Sequence, residues 1–123
     1  MANEITALAK FTLDNGSLKY TSNPGSIQID QTTARMFASV VTVGTTEEVV
    51  AFGDVAAPRV CVMQNLDATN YCEWGPTSSG AMVVAGRLRP SSIASQFEID
   101  PGITLRMKSN TASCDVLVIV TET

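Results

Sequence analysis

The sequence contains no histidine. The commonest general base near neutral pH and the commonest transition-metal ligand are therefore both missing, and catalytic arrangements that pass a proton through imidazole are excluded. Charge is scarce too: Asp, Glu, Lys and Arg make up 16% of the 123 residues, against about a quarter in ordinary soluble proteins. The eight basic residues are outnumbered by twelve acidic ones and are scattered, so the sequence lacks the concentrated stripe that binds a phosphate backbone. Nucleic acid is not expected as a partner. The nearest grouping, Arg87 and Arg89 with Arg106 and Lys108, reads as solvated strand faces. Cysteine occurs three times, as Cys61, Cys72 and Cys114, an odd set without CxxC spacing, which points to unpaired buried thiols rather than a disulfide framework. The longest apolar run near the C-terminus, Val116 to Val120, is far too short to span a bilayer, so no membrane partner is expected. The opening Met-Ala-Asn-Glu-Ile shows neither the basic segment nor the apolar run of a secretory leader.

What is present is alternation punctuated by turns. Hydrophobic residues form 45% of the chain, and a domain of this length buries roughly two-thirds of its unfolded surface. Ile5, Ala7, Ala9, Phe11 and Leu13 fall on one parity, with Thr6, Lys10, Thr12 and Asp14 between them, the pattern of a half-buried strand. Asn15-Gly16 closes it as a hairpin-type turn, Leu18 and Tyr20 follow on a return strand, and Asn23-Pro24-Gly25 interrupts the chain before Ile27 and Ile29. From Met36 to Val43 both parities are apolar and β-branched, so this strand is expected to be covered on both faces. Short strands are read at Glu47–Phe52, Val60–Gln64, Tyr71–Trp74, Met82–Ala85, Gln96–Ile99, Ile103–Ser109 and Asp115–Val120. Eight to ten strands at roughly ten-residue spacing predict an all-β antiparallel sandwich of jelly-roll type. Residues 1–123 read as a single domain. Residues 1–22 stand either as a detachable N-terminal arm or as the first hairpin of the sandwich.

No reading of the residues as catalytic machinery holds together. Glu47 and Glu48 are adjacent on a strand and so point to opposite faces, which denies them a shared acid/base site. Asp67, Asn70, Glu73 and Asp100 lack the spacing of a calcium loop. If Val60–Gln64 and Tyr71–Trp74 form a hairpin across residues 65–70, Cys61 faces Trp74 and Cys72 faces Met63. The two thiols are then diagonal and too far apart for an unstrained disulfide. Such a sulfur and indole patch is either core or a seam with a neighbour, and core is favoured. Trp74, Tyr71 and Tyr20 offer faces on which a sugar ring can stack. The sequence thus implies no enzyme, no cofactor and no metal site.

Gln64-Asn65-Leu66-Asp67-Ala68-Thr69-Asn70-Tyr71 follows Val43-Gly44-Thr45-Thr46-Glu47-Glu48 and Phe52-Gly53-Asp54. It precedes Trp74-Gly75-Pro76, Arg87-Leu88-Arg89-Pro90 and the run from Asp100 to Ala112. This order, over about Asn15 to Glu122, resembles small virion proteins encoded beside the capsid genes of tailed bacteriophages, several of which are capsid decoration, or cement, proteins. The resemblance implies a jelly-roll-like sandwich on the outside of a phage head, often a homotrimer, that binds the major capsid protein and bridges its subunits. It implies synthesis in the host cytoplasm and no catalytic residues. The chain departs from that pattern at Cys61, Cys72 and Cys114, where aliphatics are expected, and at Arg59. A tail or adsorption component and a sugar-binding jelly roll are the other functions in view. The subunit-contacting surface is expected on residues 2–20, with Ile5, Phe11 and Leu13 on its apolar face and an exposed sheet edge of a sister copy or the shell as its target.

Overall fold

The computed structural model describes residues 5–23, 25–31 and 33–122. Regular structure among them is all β, with no helix. The chain divides into two compact units between Ala34 and Arg35.

The first unit is one long hairpin. Strands β1 (Ile5–Leu8) and β4 (Ser26–Ile29) pair antiparallel, with Ile5 opposite Ile29. Strands β2 (Phe11–Asn15) and β3 (Leu18–Ser22) pair antiparallel, with Leu13 opposite Tyr20. The single half-buried strand expected from Ile5 to Leu13 is therefore two, separated by Ala9 and Lys10. Leu8 faces Ser26 while Phe11 faces Ser22, so the register slips by one between the two ladders, as at a β-bulge. Pro24, expected to punctuate this arm, lies outside the described residues. At the tip, Gly16 holds φ +57° as the first central residue of a two-residue Gly16-Ser17 loop, the position glycine takes in a type II′ turn.

The second unit is a two-sheet sandwich. One sheet has the order β11-β7-β13-β5 (Ser95–Glu98, Pro58–Asn65, Cys114–Glu122, Met36–Val43). The other runs β10-β8-β12-β6 (Gly86–Leu88, Cys72–Ser78, Leu105–Ser109, Glu48–Val49), with the two-residue β9 (Ala81–Met82) paired to β8. All pairs are antiparallel. Leaving aside β9, the eight strands from β5 onward are dealt between the sheets in jelly-roll order. The core lies between them. Val43, Cys61, Met63, Val116, Val118 and Val120 from one sheet meet Cys72, Leu88, Leu105 and Met107 from the other. Trp74 stacks on Phe97 across that space, with ring centroids 4.9 Å apart and planes 6° from parallel. Gly86 is required beneath the indole, because a β-carbon there would lie 2.7 Å from Trp74 Nε1.

Several local expectations change in this frame. β7 and β8 do not form a hairpin: they belong to opposite sheets, and residues 66–71 cross between them. Cys61 therefore pairs across the ladders with Phe97 and Val120, not Trp74, and Cys72 with Leu88 and Ser109, not Met63. The strands expected at Glu47–Phe52 and Met82–Ala85 shrink to two residues each. Ile103 is exposed, ahead of a strand that begins at Leu105. Most consequential is β5. Phe37 and Val41 pack on the core and Val43 is within it, but Met36 and Val40, on the other parity, are 65% and 52% exposed. One side of a strand patterned for burial on both sides is open.

Candidate functional site

The register of β2 and β3 sorts the hairpin into two unlike faces. Leu13 and Tyr20 are directly opposed and Asn15 faces Leu18. Phe11 and Tyr20 are diagonal neighbours whose rings meet at 6.3 Å with a 51° tilt, a contact within reach of aromatic side chains on one sheet face. The other face holds Thr12 opposite Thr21 and Asp14 opposite Lys19, the last two in an exposed ion pair at 3.5 Å, which contributes little to stability. Phe11, Leu18 and Tyr20 are each 59% exposed. A two-stranded hairpin is at best marginally stable in water, and this one turns its apolar side outward.

Of the three residues expected on a contacting surface, the structure brings Phe11 and Leu13 together on this face. Ile5 is placed elsewhere, half-buried in the β1–β4 ladder across from the buried Ile29. Leu18 and Tyr20 complete the face and were not among the residues expected on it. The signal for them was the turn: centring the loop on Gly16-Ser17 puts Tyr20 opposite Leu13.

The outer faces of the two sheets of the sandwich differ in the same way. On the β8–β12 sheet the outward positions are charged: Glu73 accepts from Arg87 at 3.0 Å, Lys108 stands opposite Glu73, and Arg106 lies 3.8 Å from Glu47. The expectation that these basic residues form a solvated face agrees with this placement. On the other sheet, β5, β13 and β7 present Met36, Ala38, Val40, Leu117, Ile119 and Val62 in register, and the charges Asp115 and Glu98 fall at its margins.

Other candidate groups are occupied. Glu47 accepts the Met82 N–H at 3.0 Å and Glu48 the Gly44 N–H at 2.6 Å, so the two carboxylates serve separate backbone sites. A shallow cleft of about 270 Å³ is lined by Tyr71, Glu73, Lys108, Ser109, Asn110 and Thr111. Two of its polar groups engage the loop beside them: Asn110 Oδ1 accepts the Tyr71 N–H at 3.1 Å and Thr111 Oγ1 donates to Asn70 Oδ1 at 2.8 Å. The Arg87 guanidinium covers the Tyr71 ring at 4.0 Å, and Trp74 is spent on Phe97, which leaves neither ring as an open platform for a sugar. Among the described residues no group of three His, Cys, Asp or Glu side chains is placed to hold a metal ion.

The three thiols are buried and unpaired. Burial pushes the Cys61 thiol up to about 12. Cys72 is likewise raised to about 12, first by burial and then by Cys114, whose thiol is its hydrogen-bonding neighbour. Such groups are poor nucleophiles, since the thiolate is the reactive form.

The loop with the most distinctive sequence, residues 65–71, is structural. Asn65 is 3% exposed. Its Nδ2 donates to the Asn70 and Leu88 carbonyls at 2.7 and 3.0 Å, and its Oδ1 accepts the Asp67 N–H at 2.9 Å. Asp67 Oδ1 accepts from the N–H groups of Asn70 and Thr69 at 2.6 and 2.7 Å; these bonds, Asn70 first, hold its carboxyl below the ordinary carboxylate range. The phrase shapes the crossing between sheets.

No family model matches the chain, and no match was found among curated proteins or solved structures.

Proposed function

We propose that this protein is a non-enzymatic virion component, a capsid decoration protein that binds the outside of a tailed-phage head and bridges major capsid subunits. The observation that carries the reading is the outward apolar face of the hairpin, Phe11, Leu13, Leu18 and Tyr20. This is a contact surface on an element that needs a partner, attached to a sandwich in which Glu47, Glu48, Asp67 and Glu73 serve its own loops and strand pairs. The virion part of the reading rests on the order of motifs from Asn15 to Glu122, and the jelly-roll sandwich is the fold that resemblance implies. Stoichiometry and position in the intact particle test it. Hundreds of copies spread over the head, with heads fragile and tails normal when the protein is missing, is the expected result. A few copies at one vertex or along the tail would replace this reading with a tail or adsorption role.

A further inference from the structure

The two sheets of a sandwich ordinarily stand about 10 Å apart. Cysteines on facing strands are then too distant to be joined, since a disulfide needs α-carbons within about 7 Å. At one end of this sandwich the sheets are drawn together. Cys72 opens β8 and lies between Leu88 of β10 and Ser109 of β12, and both of these neighbours are tied to the other sheet. The Leu88 carbonyl accepts from Asn65 Nδ2 of β7 at 3.0 Å. The Ser109 N–H donates to the Gly44 carbonyl at 2.8 Å, immediately after Val43, which faces Cys114 across the β5–β13 ladder. Five residues beyond Ser109 the chain has turned into the opposite sheet and begins β13 with Cys114. The thiols of Cys72 and Cys114 meet at this pinch as hydrogen-bonding neighbours, both within the buried core. Cys61 is placed differently. It sits opposite Val120, six residues along β13 from Cys114, which is on the order of 20 Å of strand.

We propose that Cys72 and Cys114 are a latent staple, reduced when the chain is made and converted by a peroxide into a disulfide that joins the two sheets. Hydrogen peroxide is small enough to enter where the core opens locally. It oxidises one thiol to a sulfenic acid and is itself released as water. The sulfur of the second thiol then attacks the first. The S–S bond forms, the S–OH bond breaks, and the departing hydroxide takes the attacking thiol's proton to give a second water. The protein has lost two hydrogens, and the peroxide has gained the two electrons. Burial holds Cys72 protonated near neutrality, so the reaction is slow and the pair stays silent in a reducing compartment. Once closed, the bond encloses residues 73–113, a loop long enough for the cross-link to restrict the unfolded chain strongly. The staple lies wholly in the second unit, so its formation does not depend on what the protein binds.

The test uses the full-length protein, purified under reducing conditions, freed of reductant and treated with hydrogen peroxide. Iodoacetamide in denaturant then counts the remaining thiols by intact mass. Untreated protein should take three alkyl groups, one for each free cysteine. Oxidised protein should take one, with two hydrogens lost, and peptide mapping should find the segment around Cys72 joined to that around Cys114. The thermal midpoint should rise by at least about 5 °C and return when dithiothreitol is added. Cys61→Ala, compared with its own reduced form, should show the same rise, and Cys114→Ala should show none. If Cys114→Ala does not fold, the peptide map of the wild-type chain decides. Three reactive thiols after peroxide, oxidation that stops at sulfinic acid, a bond that includes Cys61 or a second chain, or a midpoint that does not rise overturns the inference.

Discussion

The side chain of Asn65, at the end of β7, donates to the main-chain carbonyl of Leu88 in β10 at 3.0 Å, joining two strands that belong to opposite sheets. Leu88 itself is part of the buried core. The same amide holds the Asn70 carbonyl and the Asp67 N–H, so one side chain satisfies three backbone groups where the chain leaves one sheet for the other.

Asn65→Ala should therefore be severe for so small a change. Each buried backbone group left unpaired costs about 1–3 kcal/mol, and water reaches some of them, which suggests a total of about 3 kcal/mol. The midpoint of urea unfolding, followed by Trp74 fluorescence, measures it. A loss below about 1 kcal/mol, no more than an average point substitution costs, would mean that the crossing is held by something other than Asn65.

Asp67 gives the crossing a pH dependence of known sign. Its folded pKa lies below the unfolded value, because the carboxylate accepts the Asn70 and Thr69 N–H groups. Its contribution is present above the unfolded pKa, about 4, and is lost as pH falls through the folded pKa. The stability gap between wild type and Asp67→Ala should be widest near neutrality and close progressively in acid. A gap that stays constant from neutral pH to about pH 2 would show that the charge on Asp67 adds nothing to the fold.

The strands and the fold class were legible because burial alternates along them. Cys114–Glu122 buries every second residue, and the sequence carries that period openly. The partner of β8 was not legible. A six-residue polar connection suits a hairpin and an arch between sheets equally well, and the residue that decides, Asn65, looks locally like any other turn former. The contacting face was half legible for a related reason. Alternation marked Phe11 and Leu13, but the placement of Ile5 depended on the register slip opposite Ala9 and Lys10, which no local pattern announces. The open side of β5 was invisible in principle, since a strand's own residues state that both sides want cover and not which molecule supplies it.

The thiols should set the alkaline limit of the sandwich. Cys61 and Cys72 have folded pKa values of about 12, well above the ordinary thiol value of about 8.5. Stability from keeping them neutral is complete below the unfolded value and is lost as pH rises from there toward the folded one. Wild type should weaken steadily above about pH 9, and Cys61→Ala, although less stable at neutrality, should show a shallower alkaline decline. Titration with a thiol reagent should be slow on the native protein and reach three thiols only after denaturation. Rapid labelling at neutral pH would show that at least one of them is reachable without unfolding.

Removing the hairpin asks whether the sandwich stands alone. Among the described residues the core cluster runs from Val43 to Val120, and the partly buried side chains packed on it start at Phe37. Glu122, buried at the end of β13, takes its contacts from within the second unit, accepting the Ala56 N–H at 3.2 Å and lying 3.9 Å from Arg35. A chain beginning at Ala34 should therefore retain a single cooperative transition, with a stability within about 1 kcal/mol of the full protein at equal monomer concentration, because the clustered core from Val43 onward is kept whole and the buried side chain lost, Ile29, lies outside that cluster. Trp74 reports this cleanly, being the only tryptophan in the sequence and stacked on Phe97 inside the sandwich. The same truncated chain should fail to bind heads, since it has no hairpin face to offer. Insolubility, or a broad non-cooperative melt, would instead place residues 5–31 among the elements that complete the fold of their own chain. The hairpin would then be a structural layer and not an arm.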